Sequence, residues 1–379
     1  MKILHVAPSI ERAYGGPTQS LAGYISASRT VGADVDVAAP FPSIREVDVL
    51  NDAGAGRVRT FTGYGRGSTA ASPSLLRWVA AHSRSYDVVH VHGLFNFIST
   101  FAARAAIRAG SAVVIRPFGT LSRYTFEHRR GALKRPWFEN LERPNLNRAA
   151  AVHFTTATER QEAEWNRLGL GNRAYVVPPP FISSSPALPG IRNRLVALFL
   201  GRLHPVKNVE ALIDAWPAVR ARHAHATLRV IGEGSRTYQE KLRQRAGSGI
   251  EFTGFLSGAD KSQALSNATI LVLPSLHENF GMVVVEAIAA GLPVVVSEHV
   301  QLRDFIAAND LGIVTGDSPD SIARAINAAF SDADLQDRVA RNGRRLVGET
   351  YNTETIGKQL QTMYLSALEV QRSRIGASS

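Results

Sequence analysis

Short apolar runs recur along this chain, and amphipathic stretches of helical period separate them. Ile3–Pro8, Asp34–Ala39, Val58–Phe61, Val88–His92, Val113–Arg116, Ala151–Thr155 and Ala174–Val177 are rich in Val, Ile or Ala, as strands buried on both faces are. Helical patterns fill the gaps, among them Thr18–Thr30, Ser74–Ser83 and Ser99–Ala109. The alternation predicts a doubly wound α/β domain. It stops at Pro178-Pro179-Pro180, followed by Ser183-Ser184-Ser185-Pro186 and Pro189-Gly190. Proline lacks an amide hydrogen and disfavours helix before it, so the linker is placed near 179–190. The alternation then restarts with Val196–Gly201, Thr227–Gly232, Ile250–Phe255, Ile270–Pro274, Val294–Ser297 and Gly312–Thr315. From about Thr353 to Arg372 the pattern is a final amphipathic helix, and Ile375–Ser379 reads as a frayed end. The expected division is two α/β domains, 1–183 and 190–352, then a helix and tail, 353–379.

Composition narrows the chemistry. Hydrophobic residues make up 45% and charged residues 20%, a globular balance. The absence of cysteine excludes disulfides, thiolate catalysis and cysteine metal sites. The opening MKILHVAPSIERAYGGP reads as a first strand and not as a signal peptide. The longest apolar stretch, Met282–Ser297, is interrupted by Glu286, Gly291 and Pro293, so no membrane span is expected.

The net charge of +11 is uneven. Residues 1–185 hold 22 Lys and Arg against 13 Asp and Glu, whereas 186–379 hold 21 against 19. Within 101–150 the count is 10 against 3, and the cations include Arg123, Arg129, Arg130, Lys134, Arg135, Arg143 and Arg148. Such a patch suits anionic lipid or a phosphorylated acceptor, or is a solvated basic face. The interleaved Tyr124, Phe126, Trp137 and Phe138 favour an interfacial role. No nucleic-acid motif accompanies the patch, and no nucleic-acid partner is expected.

In open α/β sheets ligands bind beyond the carboxyl ends of the strands, and several suggestive residues fall there. Gly15-Gly16-Pro17-Thr18 follows the first strand, where glycines let backbone approach a ligand and proline suits a first helical position. His92 ends the fourth strand before Gly93 and is a candidate to face a ligand; His90 is expected on the opposite face. Gly201-Arg202-Leu203-His204-Pro205-Val206-Lys207-Asn208 follows the first strand of the second domain, and Arg202 and Lys207 there could neutralise a diphosphate. Gly232-Glu233-Gly234 lacks the third glycine of a dinucleotide fingerprint, and a tight strand–helix turn accounts for it.

The densest signal is Leu276–Gly291, LHENFGMVVVEAIAAG. A loop delivers Glu278, turns at Gly281 and enters a helix that carries Glu286. The free amides of a helix start suit a phosphate, and carboxylates suit sugar or ribose hydroxyls. A carboxylate embedded in MVVVEAIAA needs partners, and ribose hydroxyls would serve.

Together these residues resemble the retaining glycosyltransferases of family 4, with the two-domain GT-B fold. The resemblance rests on Glu278 and Glu286 with GRLHPVKN at the matching place, on the Gly-Gly loop and on the strand ending in His92. Arg116–Thr156 is similar to the acceptor-domain segment of enzymes of exopolysaccharide or lipopolysaccharide assembly. The resemblance implies two Rossmann-like domains facing a cleft, with the last helix crossing back to the first domain. It implies that Arg202 and Lys207 bind the donor diphosphate and that Glu278 contacts the transferred sugar. Asn279, Phe280, Gly281, Met282 and Val283 would line sugar and phosphate, and Glu286 would hold the ribose. Gly15 and Gly16 would approach the diphosphate, His92 the donor sugar, and Gly232, Phe255 and Leu256 the base. Acceptor or membrane contact falls to Arg123, Tyr124, Arg129, Arg130, Lys134 and Arg135.

The implied activity is transfer of a hexose from a nucleoside diphosphate sugar to a saccharide or polyprenyl-linked acceptor. It needs no metal or other cofactor, and the expected place is the cytoplasm, peripheral to the inner face of the membrane. A GT-B epimerase, a sugar-phosphate synthase and a non-catalytic nucleotide-sugar binder are the alternatives. The chain departs from the family at Pro178-Pro179-Pro180, where Pro-Asn-Gly is usual, and at Tyr351-Asn352-Thr353-Glu354, where an aromatic-rich pattern is usual.

Overall fold

The computed structural model describes residues 1–11, 16–40, 44–65, 69–128, 131–182 and 195–376. Two compact units emerge, Met1–Pro180 with Tyr351–Ser379, and Phe181–Thr350. Residues 183–190 of the expected linker lie outside the described residues.

The first unit holds seven parallel strands: β1 (Lys2–Val6), β2 (Asp34–Pro40), β3 (Arg57–Phe61), β4 (Val88–His92), β5 (Ala112–Arg116), β6 (Ala151–Phe154) and β7 (Ala174–Val176). Their order is β3-β2-β1-β4-β5-β6-β7. The burial of each strand follows its place. β4 and β5, at the centre, are buried throughout, whereas edge strand β3, reading RVRTF, alternates with solvent. One face packs Leu4, Val6, Val89, Val91, Val113 and Ile115 against Ile98, Ala102 and Leu146. The other packs Ile3, Val35, Val37, Val88 and Val114 against the first helix, Gly16–Thr30, and the last, Thr353–Gly376.

The last helix therefore belongs to the first unit. Asn352 opens it, its Oδ1 accepting from the Thr355 amide at 2.8 Å. Ile356, Leu360, Met363 and Tyr364 are buried in the first unit's core. At Gly357 a Cβ would stand 2.3 Å from the Ala27 carbonyl oxygen, so only glycine lets the two helices approach this closely.

The pleat corrects one expectation. His90 and His92 are two residues apart, so they share a face and do not oppose each other. Both stand with His5 on the side of the last helix; His92 stacks on His5 and on His90, and the three centroids are 4.4–5.0 Å apart.

The second unit holds six parallel strands: β8 (Val196–Leu200), β9 (Thr227–Ile231), β10 (Ile250–Gly254), β11 (Ile270–Leu273), β12 (Val294–Ser297) and β13 (Gly312–Thr315). Their order is β10-β9-β8-β11-β12-β13. Helix Met282–Ala289 buries Val284, Val285, Ala287 and Ile288. Helix Ala333–Thr350 closes over it at Gly343, where a Cβ would stand 2.3 Å from the Ile288 carbonyl oxygen. Covered on several sides, this helix reads as continuously apolar, and Glu286 is the exception within it.

Candidate functional site

Each sheet reverses its winding once, between β1 and β4 in the first unit and between β8 and β11 in the second. Chains leaving such neighbours turn to opposite sides and open a crevice at the carboxyl edge, where ligands of open α/β sheets bind.

In the second unit, β8 runs on through Gly201-Arg202-Leu203, and β9 through Gly232-Glu233-Gly234. Leu203 bridges Gly234 in parallel, and the Leu203 amide donates to the Glu233 carbonyl at 2.8 Å. A Cβ at Gly232 would lie 1.8 Å from the Gly201 oxygen, and one at Gly234 2.0 Å from the Leu203 oxygen. These glycines are thus required by backbone packing, whatever else they meet. A 3₁₀ turn, Pro205–Lys207, follows, with His204 Nδ1 accepting from the Val206 amide at 3.2 Å.

The loop after β11 is fastened to this turn, because the Leu276 amide donates to the Val206 carbonyl at 2.8 Å. Glu278 is fixed from the other side: its amide donates to His299 and its carbonyl accepts from Gln301, both at 3.1 Å. Lys207 and Glu278 therefore meet across the β8–β11 crevice as an ion pair, each side chain 16% exposed. Asn279 and Phe280 lead into Gly281, whose φ of 75° is left-handed, and the helix Met282–Ala289 begins at the next residue. No side-chain cap satisfies its first amides, which leaves them suited to an anion. One turn in, Glu286 meets Lys261 Nζ at 2.6 Å, the carboxylate side chain only 10% exposed.

The edge of the first sheet is built differently. Here a chain of hydrogen bonds fixes the tautomers. His153 Nε2–H donates to the Val177 carbonyl at 2.7 Å, so His153 Nδ1 accepts from His90 Nε2–H at 3.2 Å, and His90 Nδ1 accepts from the Tyr364 hydroxyl at 2.9 Å. His5 Nδ1 and His92 Nε2 share one proton at 2.7 Å. Burial, followed by the Arg116 charge, pushes His5 and His153 down to about 3, and burial likewise holds His90 and His92 well below the usual imidazole range. The four rings are neutral.

Two buried carboxyls shape the loops around them. Glu142, on a π-helical turn Phe138–Glu142, accepts at Oε1 from the Phe95 amide at 2.7 Å, Thr100 Oγ1 at 2.6 Å and Trp137 Nε1 at 3.0 Å. It thereby holds Phe95 at a φ of 57°, just beyond β4. Glu159 accepts from the Gly119 amide at 2.5 Å and the Thr155 amide at 2.6 Å, fastening the loop beyond β5. Burial raises both carboxyls above their ordinary value.

Residues 15–180 match the family model for a glycosyl transferase 4-like domain, and residues 186–346 the model for glycosyl transferases group 1. A phosphatidyl-myo-inositol mannosyltransferase of Mycobacterium leprae is 30% identical over 310 residues, which span 78% of this chain and 77% of that protein. The chain belongs to the GT4-type glycosyltransferases. An uncharacterized glycosyltransferase of Methanocaldococcus jannaschii, MJ1607, is 37% identical over 177 residues, 46% of this chain and 45% of that one. Among solved structures, Anabaena Alr3699/HepE in complex with UDP and glucose aligns at a TM-score of 0.74 and 22% identity, covering 97% of this chain and 100% of that chain. That likeness shows the fold, two parallel-sheet α/β domains of the GT-B kind.

Within this GT4 framework the sequence-derived residues fall into three groups. Lys207, Glu278, Asn279, Phe280, Gly281, Met282, Val283 and Glu286 gather on one edge of the second sheet, with Arg202 exposed on the β8 extension. Phe255, 56% exposed, and Leu256 follow edge strand β10. In the first unit Gly16 opens the first helix, and His92 is buried in the imidazole cluster. Gly15, Arg129 and Arg130 lie outside the described residues.

The basic segment is less open than its sequence suggested. Arg123 pairs with Glu127, Arg135 and Arg143 with Glu139, and Lys134 donates to the Thr125 carbonyl at 3.3 Å. Phe138 is fully buried and Phe126 7% exposed, so these two aromatics are core and set out no interfacial surface, because they pack on each other and on Phe95. Tyr124 and Trp137 are half-buried. Among the described residues no helix is long and apolar enough to cross a membrane.

Sequence reasoning missed Lys261, Arg116, His5 and the two buried carboxyls. Lys261 had a signal: residues 181–350 contain three lysines, Lys207, Lys241 and Lys261, and a carboxylate in an apolar helix calls for one.

Proposed function

We propose that this GT4-type enzyme is a retaining transferase that moves a hexose from a nucleoside diphosphate sugar to an acceptor hydroxyl. The observation that carries the reading is the Lys207–Glu278 pair at the β8–β11 switch point, beside the uncapped start of helix Met282–Ala289. A cation and free helix amides suit a diphosphate, and Glu278 suits the hydroxyls of the sugar attached to it. Glu286, paired with Lys261, suits a ribose.

Departure of the diphosphate is assisted by Arg202, Lys207 and the helix amides, and positive charge develops on the sugar ring. The acceptor hydroxyl attacks from the face that the diphosphate leaves, and the leaving phosphate takes its proton. No protein nucleophile is needed, and the cations and helix start carry the charge neutralisation for which a metal would otherwise serve. The names of the relatives support a lipid-linked or saccharide acceptor. The mycobacterial relative is a phosphatidyl-myo-inositol mannosyltransferase, and the Anabaena structure holds UDP and glucose. A role in surface polysaccharide assembly, in the cytoplasm with peripheral contact to anionic membrane, completes the proposal.

The deciding experiment is a product assay with purified protein, a panel of nucleoside diphosphate sugars and saccharide acceptors. The expected product keeps the donor's anomeric configuration, read by proton NMR. Conversion of donor without acceptor would identify an epimerase instead. Arg202→Ala is expected to lower kcat/KM by about 10²–10³, as loss of a transition-state donor does, and unimpaired turnover would sink the assignment.

A further inference from the structure

Arg116 is a cation that the donor-edge chemistry leaves unused. It ends β5 and is 2% exposed. Its Nη1 donates to Ser20 Oγ at 3.1 Å, and its guanidinium lies against the rings of Phe118 at 4.1 Å and Tyr24 at 4.7 Å. Its Nε–H has no partner among the described residues. Glu159 acts on it through charge alone, because its oxygens are spent on Gly119 and Thr155. Burying an ion without a counter-ion costs several kcal/mol, and an apolar residue of similar volume would serve packing better.

The neighbouring histidines are incomplete in a matching way. His92 and Arg116 are register partners on adjacent strands. The His5–His92 pair leaves His5 Nε2 and His92 Nδ1 buried without partners among the described residues. Whichever ring carries the shared proton, one of those two nitrogens is an N–H and the other a bare lone pair. The cluster thus offers a guanidinium N–H, one imidazole N–H and one imidazole acceptor. A carboxylate or a phosphodiester brings acceptors only, whereas a terminal phosphate monoanion brings acceptor oxygens and one P–OH donor.

A metal fits poorly. His5, His90 and His92 bring nitrogens within 4.8 Å of one another, but both nitrogens of His90 are engaged by His153 and Tyr364, and a guanidinium stands beside them. The cavity of about 630 Å³ in the second unit, lined by Trp216, Arg220 and Arg245, has its cations already satisfied by Asp214, Ala224 and Ser248.

We infer that Arg116, with the His5–His92 pair, is a receiving site for a terminal phosphate at the β1–β4 edge of the first unit. Resting on the transferase reading, this makes the acceptor a phosphate monoester. Two sources carry phosphate, the acceptor and the nucleotide donor, and their ester chemistry separates them.

The test is thermal-shift titration of the full chain with methyl phosphate, dimethyl phosphate, acetate and UDP. Methyl phosphate is expected to raise Tm saturably in wild type and in an Arg202→Ala/Lys207→Ala variant, while dimethyl phosphate and acetate do not. Arg116→Met is expected to hold or raise the ligand-free Tm and to weaken methyl phosphate binding about 10–100-fold, the worth of a charge-assisted hydrogen bond. A lower ligand-free Tm with an unchanged methyl phosphate response would make Arg116 structural and overturn the inference, as would an equal response to acetate. Phosphorus NMR of methyl phosphate with the wild type needs no variant. Broadening that survives saturating UDP supports the site, and displacement by UDP assigns the phosphate to the donor and overturns it. A UDP shift without a methyl phosphate shift defeats this inference alone, whereas absence of both defeats the transferase reading.

Discussion

At the carboxyl edge of the second sheet, Glu278 and Glu286 each face a lysine, Lys207 and Lys261. At the corresponding edge of the first sheet a guanidinium sits among four neutral imidazoles, while Glu159, the carboxylate that acts on it through charge, is turned to backbone amides. The difference shows two ways of keeping a site ready. A paired edge holds its side chains in place while empty and exchanges one partner when a ligand arrives. An edge with an unmatched cation is raised in energy while empty, and the ligand relieves it.

Acid should separate the two edges most. His5 and His153 titrate at 6.5 when unfolded and near 3 when folded, because of burial and then Arg116. Between those values the unfolded chain binds protons that the folded chain does not, so stability is complete above pH 6.5 and falls as pH drops towards 3. At pH 4.5 the loss is about 2–3 kcal/mol for each of the two, and His90 and His92 add in the same direction. The groups facing them, besides one another, are Arg116, Tyr24 and Tyr364. Trp78, Trp137 and Trp165 lie in the first unit and Trp216 in the second, so urea unfolding followed by tryptophan emission reports mainly on the first. An unchanged midpoint between pH 7.5 and 4.5 would remove the contrast.

Within the second edge the pairs should be unequal in kind. Lys207→Ala is expected to lower kcat/KM by about 2.7–4 kcal/mol in barrier terms while circular dichroism stays native. Lys261→Met removes the lysine from a buried carboxylate and is expected to cost about 2–3 kcal/mol in urea unfolding, below the fully buried case because the lysine is 25% exposed. Lys261→Met/Glu286→Leu should recover most of that loss, and no recovery would show that the loss does not come from the unpaired charge. At the small end, Arg123→Ala breaks a surface pair in the basic segment and should change stability by less than about 0.5 kcal/mol.

The sequence announced these edges unequally, for physical reasons. Buried parallel strands are apolar runs, so Val88–His92 and Val294–Ser297 were legible, and so was the Pro-rich end of the first unit. Glu286 stood out because a charge interrupts MVVVEAIAA. Lys261 did not, since GADKSQALS is an ordinary polar helix until its neighbour is known. Arg116 looked like the end of a strand and His5 like a polar guest in ILHV. Their significance lies in the order β1-β4-β5, which sets His5 beside His90 and within reach of His92, and His92 beside Arg116. A pleat period alone could have placed His90 beside His92, and it was the parity, not the strand, that was misread.

The last helix has a consequence for the order in which the molecule can be made. Tyr364 completes the His153–His90 chain, and Ile356, Leu360 and Met363 fill the same core. Residues 181–350 are synthesised before any of them exists, which at about 5–20 residues per second takes roughly 10–30 s. During translation the first unit therefore waits with its histidine layer open, while the second has its whole sequence and can fold.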